Sequence, residues 1–381
     1  MKEIESSFFT EKRPWSRIKD GVLGKYLPPY LSKVSHLGRR IVIIDCFAGA
    51  GKFSDGSAGS PLIICQQIAQ HAPNNAVAYF VNKGPNHHAV LSRTLERFTK
   101  AGFAHPVLGN SEGFLNEIRE HLSDETLFVY LDPFGLKGCG FDSIQPLLER
   151  GRRFSTEVLI NLNMPALHRL ATVRSKSQGK ADSEIHRSFH ATLDGVLGTP
   201  RWRDVMWDDK ITPAEKEELI VAAYKQRMSR HLQYVCNCPV RESDGTHVKY
   251  HIVFGSRHVD ALVLMNDIML DAYNDHTFDV ALQEMPLFAA SEPDWKESRH
   301  RERDNLKAVV RQVVEEQPGC TRVELWQKVV VRHFMQFREA EYRQVVADQV
   351  KNGALDCPTP RQGNRLNDHC ILMPGKLAKP L

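Results

Sequence analysis

The fold is decided by a stretch near the start of the chain, Arg39-Arg40-Ile41-Val42-Ile43-Ile44-Asp45-Cys46-Phe47-Ala48-Gly49-Ala50-Gly51. Its apolar half is too short for a helix and rich in β-branched residues, which predicts a buried parallel strand. An acid ends the strand, and two glycines follow with one residue between them. Glycines at such a place let backbone amides approach a ligand closely. We therefore expect a ligand-binding loop directly after this strand.

Outward from this stretch, strand and helix patterns alternate five times. Further strands are predicted at residues 76–81, 105–108, 127–131 and 157–162. Helical patterns between such strands make right-handed crossovers and a doubly wound parallel sheet, so the fold class is α/β and Rossmann-like. Ligands of these sheets bind outside the carboxyl ends of the strands. Four polar residues fall at or just beyond predicted strand ends: Asp45, Asn82, Asn110 and Asp132.

The rest of the chain suggests a helical insertion and a second, smaller domain. We expect the Rossmann-like domain over residues 1–290, with the insertion at about 165–240. Residues 291–300 are polar, contain Pro293 and lack periodicity, so they are expected to form a linker. Residues 301–381 carry three helical patterns followed by an apolar strand. That order predicts a winged helix-turn-helix.

Composition limits the class of protein. The 381 residues are 42% hydrophobic and 25% charged, as in an ordinary globular protein. The sequence has neither an apolar run long enough to cross a bilayer nor the apolar segment of a secretion signal. Eight cysteines are scattered along the chain, a pattern typical of a reducing compartment. We expect a cytoplasmic protein without membrane association.

The positive charge is concentrated at the C-terminal end. Residues 296–381 hold 16 Lys and Arg against 11 Asp and Glu, whereas the remaining chain holds 34 against 35. A basic module on a near-neutral body suggests phosphate contact and nucleic-acid binding. The candidate contacts on the third helix and on the wing are Arg338, Arg343, Lys351, Arg361 and Arg365. Acidic residues on the same helix keep a protein-interaction winged helix equally open.

Two motifs resemble parts of methyltransferases. Asp45-x-Phe47-x-Gly49-x-Gly51 lacks the third glycine of a dinucleotide fingerprint and the Lys-Ser/Thr of a P-loop. It resembles motif I of class I S-adenosylmethionine-dependent methyltransferases, where the acid and the glycine loop hold the cofactor. Asp132-Pro133-Phe134 resembles the Asp/Asn-Pro-Pro-Tyr/Phe motif of amino-methyltransferases, with one proline missing. In that motif the acid and a carbonyl accept hydrogen bonds from an exocyclic amine, while the ring stacks on a flipped base.

Simpler interpretations of both motifs remain. The first also fits a strand followed by a glycine turn, and the second an Asp-Pro turn with a packed Phe. Asn82 stands where these enzymes usually carry an acid for the ribose, and Asn110 where an Asp near the adenine is more usual. An amide can bond a hydroxyl but without charge assistance. Cys236-Asn237-Cys238 lacks zinc-ligand spacing, so no metal is expected.

The whole chain resembles the three-Cys-motif partner (TcmP) family. The resemblance is carried by Trp15-x-x-x-Lys19 with Tyr26 and Tyr30, Asp45-Cys46-Phe47-Ala48-Gly49-x-Gly51, Leu131-Asp132-Pro133-Phe134-Gly135, Val158-Leu159-Ile160-Asn161 and Tyr250-His251-Ile252-Val253-Phe254-Gly255-Ser256-Arg257-His258, followed by a helix with Met265, Ile268 and Met269. It implies a methyltransferase-like core and a C-terminal winged helix. It also implies a partner protein with a three-cysteine, radical-S-adenosylmethionine-like motif.

Three functional hypotheses follow. The first is a nucleic-acid methyltransferase acting at an exocyclic base nitrogen, with Asp132, Pro133 and Phe134 at the base. S-adenosylmethionine would then be held by Asp45, Phe47, Gly49, Gly51, Asn82 and Asn110. The second is an inactive methyltransferase fold that binds nucleic acid or serves as a scaffold. The third is a metal-dependent nuclease built on Asp45 and Asp132.

Overall fold

The first structural unit is organised around a seven-stranded sheet. A computed structural model describes residues 14–171, 180–242, 247–284, 292–358 and 366–375. These form two compact units, Met1–His258 and Val259–Leu381. The strands of the first unit are β1 (Ile41–Asp45), β2 (Ala76–Asn82), β3 (Ala104–Leu108), β4 (Thr126–Leu131), β5 (Thr156–Asn163), β6 (Tyr234–Arg241) and β7 (Val248–Ser256). The predicted α/β sheet is therefore confirmed.

The strand order is β3-β2-β1-β4-β5-β7-β6. Strands β1 to β5 are parallel, and β7 runs antiparallel to both β5 and β6. All residues of β1 and β4 are buried, as their near-continuous apolar sequences require. The chain leaves β1 toward β2 on one side, while β4 lies on the other. A crevice for a ligand forms at such a reversal of strand order.

Helices cover both faces of this sheet. They are α1 (Pro14–Ser35), α2 (Ser60–His71), α3 (Pro85–Thr94), α4 (Glu96–Lys100), α5 (Ser111–Ile118), α6 (Phe141–Leu148), α7 (Met164–Ala171), α8 (Lys180–Leu197), α9 (Trp202–Met206) and α10 (Pro213–Met228). Along the chain, helices α7 to α10 follow β5 and precede β6. The α1 tyrosines Tyr26 and Tyr30 pack on Phe128 of β4, with ring centroids 5.9 and 5.4 Å away. This packing fixes α1 against the sheet.

The second unit combines four helices with a small sheet. Its helices are α11 (Val259–Glu284), α12 (Glu292–Glu316), α13 (Arg322–Arg332) and α14 (Glu339–Lys351). Its strands β8 (Cys320–Thr321), β9 (Leu355–Asp356) and β10 (Ile371–Pro374) pair in the order β8-β10-β9. Buried Asn266 of α11 accepts a hydrogen bond from the Met335 amide (2.7 Å) and donates to the Phe337 carbonyl (2.9 Å). Helix α11 thereby fixes the turn between α13 and α14.

The unit boundary differs from the sequence expectation. The chain divides between His258 and Val259 rather than near 290, because α11 packs within the second unit. Residues 292–300 are the first turns of α12 and not a linker. The linker was predicted partly because of Pro293. Proline is nevertheless compatible with the first turn of a helix, where the N–H that it lacks would have no intrahelical partner. Within the described ranges, no helix has the length and apolarity needed to cross a membrane.

Candidate functional site

A cleft of about 1150 Å³ opens at the carboxyl edge of the parallel strands. Its walls come from the loops after β1, β2, β3 and β4, from α1, and from α8. The predicted site residues that line it are Phe47, Gly49, Gly51, Asn82, Asn110, Asp132, Pro133 and Phe134. The structure therefore brings both methyltransferase-like motifs into one cavity, although they are far apart in sequence.

The glycine loop has a fixed, narrow geometry. Gly51 has φ +82°, and a Cβ there would lie 3.2 Å from both the Leu91 and Thr94 side chains. Its carbonyl accepts a hydrogen bond from the Gly59 amide (2.9 Å), and the Ala48 amide donates to the Val81 carbonyl (3.0 Å). A side chain at Gly51 would add both backbone strain and crowding. Glycine is therefore required at this position by the loop itself.

Asp45 lies behind the loop and not on the cleft wall. It is fully buried, and its carboxylate accepts hydrogen bonds from the Phe47 amide (3.1 Å) and the Ser60 hydroxyl (2.7 Å). Burial raises the pKa of Asp45 to about 7, against the lowering effect of these two bonds. Ser60, which the sequence analysis did not single out, does line the cleft. Asp45 thus reaches the cleft through the loop and Ser60 rather than by lining it, and its contact with a cofactor stays a prediction.

Asn82 uses both ends of its amide within the protein. Its Nδ2 donates to the Gly49 carbonyl (2.5 Å), and its Oδ1 accepts from the Gly84 amide (3.0 Å). An Asp here could not donate to that carbonyl, because a carboxylate only accepts. The amide in place of the expected acid therefore has a structural explanation: it ties the glycine loop to the end of β2.

Asn110 has a comparable local task. It is the N-cap of α5, and its Oδ1 accepts a hydrogen bond from the Gly113 amide (2.7 Å). Asparagine is favoured at N-caps because it satisfies an amide that the helix leaves unpaired. The residue still lines the cleft, so its Nδ2 can face a ligand. Helix capping nevertheless accounts for the choice of residue.

The acid of the second motif is held by a lysine. The ammonium Nζ of Lys19, on α1, lies 2.7 Å from both Oδ1 and Oδ2 of Asp132. The two side chains are 6% and 24% exposed. Lys19 Nζ also lies 4.5 Å from the centre of the Tyr250 ring. Burial is the largest single effect on the pKa of Lys19 and lowers it, but the charge of Asp132, the charge of Tyr250, the hydrogen bond to Asp132 and the charge of Asp20 together raise the pKa above its ordinary value.

Sequence reasoning gave Lys19 no role. A signal was nonetheless present, since Lys19 lies on the helix face that carries Val22, Tyr26 and Tyr30, all of them buried. Because burying an unpaired charge is costly, a lysine on a buried helix face is expected to have an acidic or hydrogen-bonding partner nearby. That partner could not be identified locally, because Asp132 is 113 positions away.

The remaining parts of the second motif differ in exposure. Pro133 is buried, whereas the Phe134 ring is 63% exposed at the edge of the cleft. An exposed aromatic ring beside a polar cleft can stack on a planar ligand. The opposite wall is formed by α8, which the sequence did not implicate. Its lining residues are Ser188, Ala191, Thr192, Gly195 and Val196.

No metal centre is found among the described residues: they contain no group of three or more His, Cys, Asp or Glu able to hold an ion. The eight cysteines are buried free thiols. Asp45 and Asp132, the two carboxylates considered for a metal, instead face a hydroxyl and an ammonium.

The predicted basic residues of the second unit are partly engaged. Arg338 pairs with Asp271 at 2.8 Å, and Arg343 with Glu339 at 2.5 Å. Lys351 is exposed at the end of α14. Arg361 and Arg365, and the wing that would carry them, lie outside the described residues. The arginines on α14 thus face acids of their own unit.

Comparison with protein-family models and with curated protein sequences gave no match. Solved structures that resemble the chain have methyltransferase-like folds. Spermidine synthase from Thermotoga maritima is 9% identical, with a TM-score of 0.34, and the matched region covers 66% of this chain and 62% of that one. An O-methyltransferase from Bacillus cereus in complex with SAH is 12% identical (TM-score 0.32; 61% and 79% covered). A methyltransferase from Geobacter sulfurreducens is 9% identical (TM-score 0.29; 60% and 77%). Because the identities and TM-scores are this low, these structures carry no argument about the function of the chain.

Proposed function

We propose that this protein is an S-adenosylmethionine-dependent methyltransferase that acts on nucleic acid at an exocyclic base nitrogen. The proposal rests on one observation above all. The glycine loop and the Asp132-Pro133-Phe134 segment line the same open cleft at the switch point of the sheet. Had the cleft been filled by side chains, a scaffold without a cofactor would have been favoured.

The cleft suits a nucleoside-sized cofactor together with a second planar group. Its volume of about 1150 Å³ is slightly larger than that of ordinary ligand cavities, roughly 300–1,000 Å³. The lining carries three carboxylates, of Asp20, Glu112 and Asp132, and also four lysine ammonium groups, so its formal charge does not select the charge of a ligand. S-adenosylmethionine would supply an electrophilic methyl group on a sulfonium. The loop at Gly49 and Gly51, with Asn82 and Asn110, would hold it.

At the other end of the cleft, Asp132 would orient the amine and Phe134 would stack on the base. The carboxylate accepts hydrogen bonds, so it selects a group that carries N–H. Pro133 would contribute its carbonyl to the same amine. Correct positioning of two reactants supplies much of the rate gain in such transfers, and a strong base is not required.

The first experiment is calorimetric titration with S-adenosylmethionine and with S-adenosylhomocysteine. Wild type is compared with Gly51→Val, which fills the loop, and with Asp132→Asn, which leaves the loop intact. We expect micromolar binding that Gly51→Val abolishes and Asp132→Asn changes by less than about threefold. Asp132→Asn should in turn lower methyl transfer to nucleic acid, and Asp132→Ala, which removes the acceptor oxygen, should abolish it. Equal loss of binding in both variants would place Asp132 in the cofactor half of the cleft.

We further propose that the second unit is a winged helix-turn-helix and that it contacts the nucleic acid. Three helices and a three-stranded sheet in the order α12-β8-α13-α14-β9-β10 support this proposal. Because Arg338 and Arg343 pair with acids, the affinity would depend more on Lys351, Arg361 and Arg365. Their joint replacement by Gln should weaken binding and flatten its salt dependence. An unchanged salt dependence would favour a protein-interaction surface.

We also propose that the chain belongs with the TcmP proteins and works with a three-Cys-motif, radical-S-adenosylmethionine-like partner in the cytoplasm. The motif resemblance supports the family, and the eight free thiols suit a reducing compartment. Co-purification with the partner encoded in the same genome would test it. If no complex forms, with or without nucleic acid, the partner proposal fails while the cofactor proposal stands.

A scaffold without catalysis is the second candidate. It is favoured by the internal hydrogen bonds of Asn82, which occupy both ends of its side-chain amide, and by that of Asn110, which occupies its Oδ1. Absence of cofactor binding in the calorimetric experiment, together with retained nucleic-acid binding, would select it. A metal-dependent nuclease is disfavoured, because Asp132 is paired with Lys19 and Asp45 is buried.

A further inference from the structure

The Lys19–Asp132 pair joins a helix to the end of a strand across the cleft wall. Both residues line the cavity, as does Tyr250 of β7. An ammonium has three N–H donors. Two are accounted for by the Asp132 oxygens at 2.7 Å, and the face of the Tyr250 ring lies 4.5 Å from the same nitrogen. The described contacts of the Lys19 ammonium are therefore directed to protein groups, above all to Asp132.

Several acids face the same region. Asp20 follows Lys19 on α1, Asp45 ends β1 and Asp132 follows β4, and their charges act on one another. The hydroxyls of Tyr130 and Tyr250 complete the set of titratable groups around the pair. Asp45 illustrates what burial does to a carboxyl here, since its pKa is raised to about 7 by burial first and by the other acids second. A carboxylate that must stay ionised in this place needs a cation beside it.

We propose that Lys19 is a positioning residue for the methyl acceptor: it holds Asp132 ionised and in one orientation, so that Asp132 accepts a hydrogen bond from the acceptor amine. This inference rests on the proposed methyl transfer and deepens it. Without the ammonium, the partly buried carboxylate would lose the cation that lies 2.7 Å from both of its oxygens, and the neighbouring Asp20 would further disfavour its ionised form. A protonated carboxyl adds an O–H donor and keeps only a neutral carbonyl oxygen as its main acceptor, so it holds an N–H group less firmly than a carboxylate does.

The charge state can be measured without any substrate. Infrared spectra of the carboxyl C=O band are recorded from pH 4 to 9, and the spectrum of Asp132→Asn is subtracted to isolate Asp132. The same subtraction is made in the Lys19→Met background, using the double variant Lys19→Met/Asp132→Asn. We expect the protonation midpoint of Asp132 to rise by at least one pH unit in Lys19→Met, a tenfold shift in proton affinity. Lys19→Arg, which keeps the charge, should stay near the wild type.

Lys25→Met is the matched control, since Lys25 is an exposed cation on the same helix. It should leave the Asp132 band unchanged. Should Lys19→Met fail to fold, Lys19→Gln replaces it, because an amide keeps a hydrogen bond to the carboxylate but carries no charge. An unchanged midpoint in whichever neutral variant folds would overturn the inference.

Kinetics then separate this role from a purely structural one. With a nucleic-acid substrate, Lys19→Met should lower kcat, and the loss should be largest at the acidic end of the pH range and shrink as the pH rises above the midpoint found by infrared. Its affinity for S-adenosylmethionine should change by less than threefold. A uniform loss at every pH would contradict the positioning role. If the infrared midpoint shifts but no cofactor binds, Lys19 does set the charge of Asp132 and it is the proposed methyl transfer that fails.

Discussion

Replacing Glu157 by Gln should stabilise the protein at alkaline pH and leave it nearly unchanged at acidic pH. Glu157 lies in β5 and is 3% exposed. Its carboxylate accepts hydrogen bonds from the Tyr26 hydroxyl (2.6 Å) and the Ser256 hydroxyl (3.2 Å). A Gln can keep both contacts, since its oxygen accepts from one hydroxyl and its amide donates to the other. The substitution therefore removes only the charge.

The magnitude follows from the pKa of Glu157, which burial raises from 4.5 to about 7. Between these two values the unfolded chain has lost the proton and the folded chain still holds it. The folded state binds more protons, so the free energy of unfolding falls by about 1.4 kcal/mol per pH unit as the pH rises. The total loss is about 3 kcal/mol, and it is complete above pH 7. Glu157→Gln should recover that amount there.

The assay is urea unfolding of wild type and Glu157→Gln at pH 5 and pH 8. We expect the stability difference between the two proteins to grow by about 2–3 kcal/mol from the lower to the higher pH. Asp45 adds a pH dependence of the same sign, but it is common to both proteins and cancels. Glu120→Gln, at an exposed position, serves as the control. The same difference at both pH values would refute the argument that a buried carboxyl is being ionised.

Two further substitutions test the cleft and its frame. Asn82→Asp should weaken S-adenosylmethionine binding about tenfold, because the new carboxylate would face the Gly49 carbonyl without a hydrogen bond and loosen the loop. Calorimetry measures this affinity, and tighter binding would instead identify position 82 as a ribose contact. Arg257→Met should lower the free energy of unfolding by about 2–4 kcal/mol, since its guanidinium donates to four carbonyls between Leu148 and Phe154. A thermal midpoint within one degree of wild type would contradict this.

The parallel sheet could be predicted because its strands carry the information locally. Apolar, β-branched runs such as that of β1 are buried on both faces and look like strands wherever they occur. The positions of the site residues followed from the same logic, since carboxyl ends of parallel strands share one edge. The sequence alone therefore places the two motifs at one edge of the sheet.

What those residues do was harder to predict. The sequence comparison with methyltransferases leads one to expect an acid at position 82. The Gly49 carbonyl, which is close only in space, instead requires a donor, and the Asn82 amide supplies it. Lys19 and Asp132 meet only because α1 packs on the sheet, and no local pattern encodes that contact. Asn110 is different, because an Asn directly before a helix is a known N-cap signal. The capping role could therefore have been predicted from the sequence.

Asn266 has a consequence for how the C-terminal module can be separated from the rest of the chain. Its side chain provides partners for the Met335 amide and the Phe337 carbonyl, and Met335 itself has φ +61°. A fragment that begins at residue 301, where sequence patterns place the domain, would lose these bonds and expose the face of α13 that packs on α11. A fragment that keeps these contacts therefore begins at Val259 and includes the whole of α11.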